Sequence, residues 1–307
     1  MSASARRGVS ALTPSEIQEL ALLYRQTASD LSAVREDLTS TQLAIYLNQL
    51  MGRAHNRIYR GRRAKPKGIW TFYKDIYPAI FRETLPDTLT AFIIFLAAGV
   101  AAFLVALADP AFPRYLLGGH MIDTIEHHQM WTQSIVTVKP LASSAILTNN
   151  LTVAFTTFAL GITAGVGTVW MMVLNGLLLG VVGEACWSAG MSLQLWSFVA
   201  AHGVLELPAI FIAGGAGLGI ARGLLFPGRL PRRASLAKAG ARSVRLVLGA
   251  IPMLLIAGLV EGFVSPSNLP VPVKFLLAAA LGTLLVLYLS TKTAKAQGAQ
   301  SGAAVEL

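Results

Sequence analysis

The feature that most constrains the fold is a series of six apolar segments, each close to the roughly 20 residues that an α-helix needs to cross a bilayer. The segments cover about residues 88–108, 146–166, 168–189, 194–221, 244–264 and 273–290. Only 13% of all residues are charged, whereas about 25% is usual in a soluble domain. The sequence therefore predicts an all-α, polytopic helical membrane protein with about six transmembrane helices.

Residues 1–87 are predicted to form a cytosolic helical region. The letters "TPSE" at 13–16 match a capping box, in which Thr13 and Glu16 begin a helix. Apolar residues then recur at helical spacing in two consecutive segments, which predicts a helical hairpin. They are Ile17, Leu20, Tyr24, Leu31 and Val34 in the first segment, and Leu43, Tyr46, Leu47, Leu50, Met51, Ala54 and Ile58 in the second.

The region ends in a basic and then an aromatic stretch. "IWTFYKDIYPAIF" at 69–81 is rich in Trp, Tyr and Phe, a composition typical of a helix that lies at the membrane interface. The transmembrane domain is predicted to cover 88–290, with an outer loop at 109–145 and a cytosolic basic loop at 222–243. Residues 291–307 are predicted to be a flexible cytosolic tail.

Most of the positive charge lies on one side of the six-span topology. Residues 1–87 hold 13 of the 25 Lys and Arg residues, and residues 222–245 hold seven more. Because Lys and Arg are enriched in cytoplasmic loops, both termini are predicted to be cytoplasmic. The basic residues that flank the spans are expected to face anionic lipids of the inner leaflet, and no nucleic acid is expected as a partner. They are Arg53, Arg57, Arg60, Arg62, Arg63, Lys65, Lys67, Arg229, Arg232 and Arg233.

Three predicted spans carry glycines four residues apart, a spacing that lets helices approach closely in lipid. The pairs are Gly161/Gly165, Gly176/Gly180 and Gly215/Gly219. These pairs suit packing within one chain or in a homo-oligomer. "GGAGLG" at 214–219 lacks the spacing and the preceding strand of a dinucleotide-binding loop, so no nucleotide site is expected.

The predicted spans contain few ionisable or amide side chains. Such groups are costly at bilayer depth and normally face the interior of the helix bundle. All except Asn175 fall in the outer half of the predicted topology, which predicts a polar intramembrane cluster with a functional or a structural role. The seven residues are Asn149, Asn150, Asn175, Glu184, His202, Glu206 and Glu261.

His202 and Glu206 lie on the same face of one predicted helix, four residues apart, and Pro208 is expected to kink that helix. The pair suits an interhelical polar clamp, a proton-coupled or ligand-conducting site, or a metal or hydrolytic site. A catalytic zinc needs a third protein ligand, and the sequence supplies Glu184 or Glu261 for that place only by assumption. No metal, cofactor or catalytic residue is therefore expected.

The outer loop contains "GGHMIDTIEHHQMWTQS" at 118–134. Its three histidines make metal binding conceivable, but His127 and His128 are adjacent and would point about 100° apart on a helix. The mixture of polar residues with Met121, Ile122, Ile125, Met130 and Trp131 is more typical of an amphipathic helix that lies on the outer leaflet or covers the bundle. The loop is also a candidate docking surface for an envelope partner.

Several motifs occur in one order along the chain: "MWT" at 130–132, "TNN" at 148–150, "NG" at 175–176, "HGVLEL" at 202–207, "GGAGL" at 214–218, "FPG" at 226–228 and "EGFVSP" at 261–266. With them, the chain resembles the stage II sporulation protein M family of bacterial membrane proteins over nearly its whole length. The resemblance implies a multi-pass protein of the bacterial cytoplasmic (inner) membrane. It supplies no accepted catalytic residues.

The resemblance also implies a function. In endospore formers the namesake of the family is understood as a membrane scaffold that works with two cell-wall hydrolases, a lytic transglycosylase and an amidase. Relatives in other bacteria are expected to act near MoxR-type ATPases and proteins with von Willebrand factor type A domains. The long amino-terminal region resembles the broader family more than the sporulation type. We therefore expect an envelope scaffold or assembly protein rather than an enzyme, with a transporter or channel around His202 and Glu206, or an intramembrane metal-dependent hydrolase, as alternatives.

Overall fold

The structure is a computed structural model that describes residues 13–36, 40–58, 66–129 and 139–291. Within these ranges the secondary structure is helical and contains no strand, as predicted for an all-α membrane protein. The chain divides into two compact units, Met1–Ile69 and Trp70–Leu307. The boundary therefore falls well before residue 87, because the segment that follows Ile69 packs within the second unit.

The first unit contains two helices, α1 (Pro14–Glu36) and α2 (Thr41–Ile58), which pack against each other. The predicted capping box is confirmed: the Thr13 backbone N–H donates to Glu16 Oε2 at 2.7 Å, and the Glu16 N–H donates to Thr13 Oγ1 at 3.4 Å. The residues of the predicted apolar faces that are buried or half-buried are Leu20, Tyr24, Leu31, Val34, Leu47, Leu50, Met51 and Ala54. Leu43 and Tyr46 of the same predicted face are exposed.

A short helical segment crosses the division between the two units, and the second unit continues as a bundle of longer helices. The segment consists of α3 (Pro66–Thr71), a π-helical turn (Phe72–Ile76) and α4 (Tyr77–Glu83). The remaining helices are α5 (Leu85–Ala108), α6 (Ala111–Leu117), α7 (Gly119–Glu126), α8 (Lys139–Ala159), α9 (Val166–Ser188), α10 (Ser192–Leu225), α11 (Arg232–Phe263) and α12 (Val271–Ser290).

Among the described residues, five helices are long and apolar enough to cross a membrane: α5, α9, α10, α11 and α12. The predicted span at 146–166 corresponds to α8, which begins earlier and ends earlier than predicted, and to the 3₁₀ turn Leu160–Ile162. Helix α8 is not among the five apolar helices. Its sequence carries two asparagines and several threonines, which lower its hydropathy.

The direction of each helix follows from its contacts. The backbone at Phe95 lies against Gly176, and the backbone at Gly99 lies against Gly180, so residue numbers rise together and α5 runs parallel to α9. The chain must return between two parallel helices. Helix α8 makes that return, because Thr168 at the start of α9 donates from its Oγ1 to the carbonyl of Thr157 at 2.7 Å.

Helices α10 and α11 run antiparallel. Ser243 Oγ donates to the carbonyl of Ala216 at 2.8 Å, and Ser235 Oγ donates to the carbonyl of Gly223 at 2.8 Å. Helix α12 then runs back alongside α10. The six segments from α5 and α8 to α12 therefore alternate between two ends of the bundle, which we call the basic end, with Asp87 and Arg222, and the cluster end, with His202 and Glu261.

The predicted interfacial segment at 69–81 is partly inside the bundle. Tyr77 and Pro78 are buried, while Trp70 is 72% exposed. The Tyr77 ring packs on Tyr288 of α12, with the ring centroids 6.2 Å apart, and lies directly against Gly249 of α11. Burial raises the pKa of the Tyr77 hydroxyl well above its usual value. This segment therefore belongs to the packed core at the basic end as well as to the surface.

Two other boundaries differ from the predictions. The outer loop at 109–145 contains α6 and α7, and α8 begins within it at Lys139. The basic loop at 222–243 is mostly helix, because α10 extends to Leu225 and α11 begins at Arg232, directly after Pro231. Helix α10 is one continuous helix through Pro208, and the kink expected at this proline stays a prediction.

Candidate functional site

The buried polar cluster lies between α10 and α11 near the cluster end. His202 and Glu206 share one face of α10 because one helical turn separates them, and Glu261 of α11 lies opposite. One ligand-type atom from each of the three residues lies within 4.8 Å of the others. His202 Nε2 is 3.9 Å from Glu261 Oε1, and the two side chains are 8% and 14% exposed. The group is therefore compact and nearly sealed from solvent.

Each side of the cluster is held by a neighbouring polar residue. Asn150 of α8 donates from its Nδ2 to Glu261 Oε2 at 3.3 Å. His202 Nδ1 is 3.0 Å from Ser265 Oγ, just after α11. Ser265 is in turn fixed by buried Lys274, whose Nζ donates to the Ser265 carbonyl at 2.7 Å. Helices α8, α10, α11 and α12 therefore all contribute to the position of the site.

Glu206 is the member of the cluster with an unsatisfied atom. Its carboxyl group lies within hydrogen-bonding reach of Glu261, but Glu206 Oε2 is buried and has no hydrogen-bond partner. An unpartnered buried carboxylate oxygen is costly. Two carboxylates in contact also repel each other unless a proton or a cation lies between them.

The structure brings together five of the seven polar residues that the sequence analysis singled out. Asn149 joins the group through its Nδ2, which lies 3.3 Å from Asn150 Oδ1. Glu184 is buried in α9, where it accepts a hydrogen bond from Ser188 Oγ at 2.5 Å. Asn175 donates to the carbonyl of Met171 in its own helix at 2.7 Å. Glu184 and Asn175 are not part of the three-residue group that could hold an ion.

Two residues that position the site were missing from the sequence analysis. Ser265 lies in the turn that joins α11 to α12, just beyond the predicted span 244–264, and Lys274 lies in the first turn of α12, within the predicted span 273–290. The pattern that could have identified Ser265 is "EGFVSP" at 261–266, in which the serine follows Glu261 by about one helical turn. Lys274 is a single charged residue at the start of an apolar segment. Its isolation was the one sequence signal that it has a structural partner.

The singled-out glycines lie at close backbone contacts. Gly161 lies against Gly217, Gly165 against Ala221, and Gly215 against Thr88. Gly176 and Gly180 lie against the α5 backbone, as described above. Gly219 faces Ser243 at a wider spacing, because the Ser243 Oγ lies 3.3 Å from the position that a Cβ at residue 219 would take. Most of these positions leave no room for a side chain, so the helices touch through their backbones.

The basic end carries one partly buried ion pair. Arg222 Nη2 donates to Asp87 Oδ2 at 2.7 Å, and the Asp87 side chain is 12% exposed. Arg229, Arg232 and Arg233 lie between α10 and α11 and at the start of α11, and they are exposed. In the other unit, Arg53 of α2 is also exposed. Arg57 and Lys67 lie on α2 and α3. Arg60, Arg62, Arg63 and Lys65 fall outside the described residues.

Helix α7 covers the cluster end of the bundle. Ile122 and Ile125 are buried against Cys186, Met191 and Leu195, so the predicted amphipathic helix packs on the protein. Its carboxylates are paired: Arg114 donates to Asp123 at 2.7 Å and to Glu126 at 3.2 Å. The hydrogen bond to Asp123 and the charges of both carboxylates raise the pKa of Arg114. Met130 and Trp131 lie outside the described residues.

A groove of about 690 Å³ runs along the surface between α10 and α12. Small residues on both helices form much of its floor, including Ala200, Gly203 and Gly282. Small residues let another helix approach closely in lipid.

Comparison with protein families gives two matches. The family model described as "Stage II sporulation protein M" matches residues 91–266, a range that contains His202, Glu206 and Glu261 and the neighbouring Asn150 and Ser265, but not Lys274. A model described as "Domain of unknown function (DUF8413)" matches residues 2–60, which include the α1–α2 hairpin. Comparison with curated proteins gives no significant match, and comparison with solved structures gives none either.

Proposed function

The chain belongs to the stage II sporulation protein M family, and from that premise we propose that it is an integral membrane scaffold that assembles proteins of the cell envelope. It is a multi-pass helical membrane protein. The partner classes that follow from the family resemblance are cell-wall hydrolases and a MoxR-type ATPase system. The proposed location is the bacterial inner membrane, with the basic end and both termini in the cytoplasm.

The groove between α10 and α12 carries the scaffold proposal. Its walls are apolar, and its floor contains Ala278 and Ala279 of α12 together with Gly203 of α10. The lining runs from Trp196 to Leu207 along α10, which is about 16 Å of helix at 1.5 Å per residue. A surface of this length and composition suits a transmembrane helix of a partner protein. It offers little to a polar small molecule.

A photo-crosslinking experiment tests the scaffold proposal. A photoreactive amino acid at Thr283, in the groove, is expected to capture a cell-wall hydrolase or a MoxR-type ATPase subunit in native membranes. Ala279→Trp fills the groove and is expected to abolish the capture. Leu276→Trp is the matched control, because Leu276 is 68% exposed on the same helix and does not line the groove.

Two results would contradict the scaffold proposal. The first is recovery of the crosslinked chain only as itself or as a homo-oligomer. The second is equal capture of the partner by the Ala279→Trp and Leu276→Trp variants. A homo-oligomeric product would assign the groove to contacts between copies of this chain.

Transport is the second candidate function, and the buried cluster is the observation that favours it. Ionisable residues inside transmembrane bundles often mark ion or proton pathways. Proton flux into proteoliposomes, measured with a pH-sensitive dye, is then expected to depend on Glu206. Glu206→Gln should abolish the flux and Glu184→Gln should retain it. Equal fluxes in the two variants, or no flux in the wild type, would count against transport of protons through the cluster.

A further inference from the structure

We propose that His202, Glu206 and Glu261 bind one divalent transition-metal cation between α10 and α11. The site goes beyond the scaffold function, which needs no ion. One nitrogen and two oxygen ligand atoms come from two helices, and these atoms lie within 4.8 Å of one another. If these three atoms moved about 1 Å closer together, each would lie roughly 2.0–2.2 Å from an ion placed between them. That is the distance at which His and carboxylate ligands bind zinc.

The neighbouring hydrogen bonds leave the convergent atoms free to bind an ion. Ser265 Oγ lies at His202 Nδ1; when Nδ1 carries the proton and donates to it, Nε2 presents its lone pair to the cluster. Asn150 occupies Oε2 of Glu261, which leaves Oε1 on the side of His202. Ligand residues of metal sites are commonly oriented by such second hydrogen bonds, which fix the tautomer and the side-chain direction.

Glu206 supplies the independent observation that a ligand belongs in the cluster. Its Oε2 is buried and has no hydrogen-bond partner. Such an unsatisfied polar atom is energetically costly inside a membrane, where no water is present to bind it. A divalent cation would satisfy this atom. It would also neutralise the two carboxylates, which repel each other in this largely sealed place unless a proton or a cation lies between them.

The ligand set selects the class of ion. Mg²⁺ and Ca²⁺ prefer sites made wholly of oxygen ligands, whereas imidazole combined with carboxylate suits Zn²⁺ and the neighbouring divalent transition metals. Three protein ligands leave at least one coordination position for water or another ligand. Glu261, which the sequence offered only by assumption, completes the set because α11 runs antiparallel to α10.

The binding experiment uses the full chain purified in detergent with an affinity tag that contains no histidine. The chain has five histidines, and the four outside the cluster are replaced first: His55→Gln, His120→Gln, His127→Gln and His128→Gln. Zn²⁺ binding is measured by competition with a chromophoric chelator, and Co²⁺ binding by visible absorption. We expect one ion per chain in this background, and a Co²⁺ spectrum typical of nitrogen and oxygen ligands.

Variants of the cluster then identify the ligands. Glu206→Gln and His202→Gln are each expected to weaken Zn²⁺ binding by more than about tenfold, and Asn150→Ala, which removes a positioning residue, by about 10- to 100-fold. Glu184→Gln is the matched control, since it changes a buried glutamate on α9 that lies outside the three-residue group. It should leave Zn²⁺ binding unchanged.

Thermal stability gives a second readout that does not depend on competition with a chelator. A ligand that binds only the native state raises the melting temperature. Saturating Zn²⁺ should therefore raise Tm of the wild type and of Glu184→Gln, and leave Tm of Glu206→Gln unchanged. The proposal is overturned if the histidine-depleted protein binds no Zn²⁺, or if Glu206→Gln and His202→Gln bind it as tightly as Glu184→Gln does.

Discussion

The ring of Tyr77 fills the space that a side chain at position 249 would occupy, so α4 can seat against α11 only because residue 249 is Gly249. Tyr77 is fully buried and also contacts Tyr288 of α12. This single aromatic residue therefore ties the segment before the first span to the last two helices of the bundle. The contact lies at the basic end, far along α11 from Glu261.

Gly249→Ala is expected to destabilise the bundle, because the added methyl group would force the Tyr77 ring out of its place. Overpacking of this kind typically costs about 1–3 kcal/mol. The measurement is the temperature at which the detergent-solubilised protein loses its monodisperse peak on size-exclusion chromatography. Gly240→Ala is the control on the same helix, since nothing lies within 4 Å of its Cβ position. Equal melting of the two variants would contradict the proposed role of Gly249.

Gly180→Ala is expected to push α5 and α9 apart. A Cβ at position 180 would overlap the carbonyl group of Gly99, whereas a Cβ at Gly183, one turn away, meets only Phe103 Cδ2 at 3.9 Å. Gly180→Ala should therefore lower the thermal stability, and Gly183→Ala should keep or raise it, since alanine favours helix by up to about 1 kcal/mol over glycine. Differential scanning fluorimetry on both variants separates the two outcomes.

Because the helices alternate between the two ends of the bundle, two surface sites are predicted to face opposite sides of the membrane. Tyr115 of α6 is 90% exposed near the cluster end, and Arg229 lies in the turn at the basic end. In a Cys186→Ala background, Tyr115→Cys should react with a membrane-impermeant maleimide in spheroplasts, and Arg229→Cys only after permeabilisation. The reverse pattern would invert the proposed orientation, and labelling of both from one side would contradict the alternation.

The start of α1 is expected to depend on pH through Glu16. The hydrogen bond from the Thr13 backbone N–H, with that from the Thr13 hydroxyl, lowers the pKa of Glu16. A lowered folded-state pKa stabilises the helix above the unfolded value of about 4.3, and the stabilisation is lost as the pH falls through the folded value.

Hydrogen–deuterium exchange of residues 14–20, corrected for intrinsic rates, measures this effect in the full chain. Protection should fall between about pH 5 and pH 3. Glu16→Gln should show the lower protection already at pH 7, with little further change on acidification. Glu19→Gln is the neighbouring control and should behave as the wild type does. If Glu16→Gln showed the same pH dependence of protection as the wild type, the capping box would not be the cause of that dependence.

Much of the fold follows from sequence periodicity. Five of the six predicted spans correspond to helices apolar enough to cross a membrane, because a helix in lipid needs about 20 mostly apolar residues. Thr13 and Glu16 mark the start of α1 because their side chains form a capping box. The starts of α11 and α8 were less visible in the sequence. Helix α11 begins at Arg232 although its first turns are basic, because nothing between Pro231 and the apolar residues breaks a helix.

The candidate site was only partly accessible to sequence reasoning. The spacing of His202 and Glu206 showed that they share a face, since helical geometry relates residues four apart. Which residue lies opposite depends on the antiparallel pairing of α10 and α11, and a single sequence contains no measure of that register. Glu261 was therefore one candidate among several. Ser265 lies in the turn between α11 and α12, which periodicity does not describe, and Lys274 is a lone cation in the first turn of α12 whose hydrogen-bond partner lies in that turn.

Helix α8 carries a consequence for how the protein is made. It is the helix that returns the chain between the parallel α5 and α9, yet it is too polar to stand among the apolar helices. Insertion into the bilayer penalises polar residues at the centre of a segment. We therefore expect α8 to be poorly inserted when synthesised alone and to enter the membrane together with α9, to which the turn around Gly165 joins it. The asparagine that orients Glu261 would then reach its place only when the later helices have been translated.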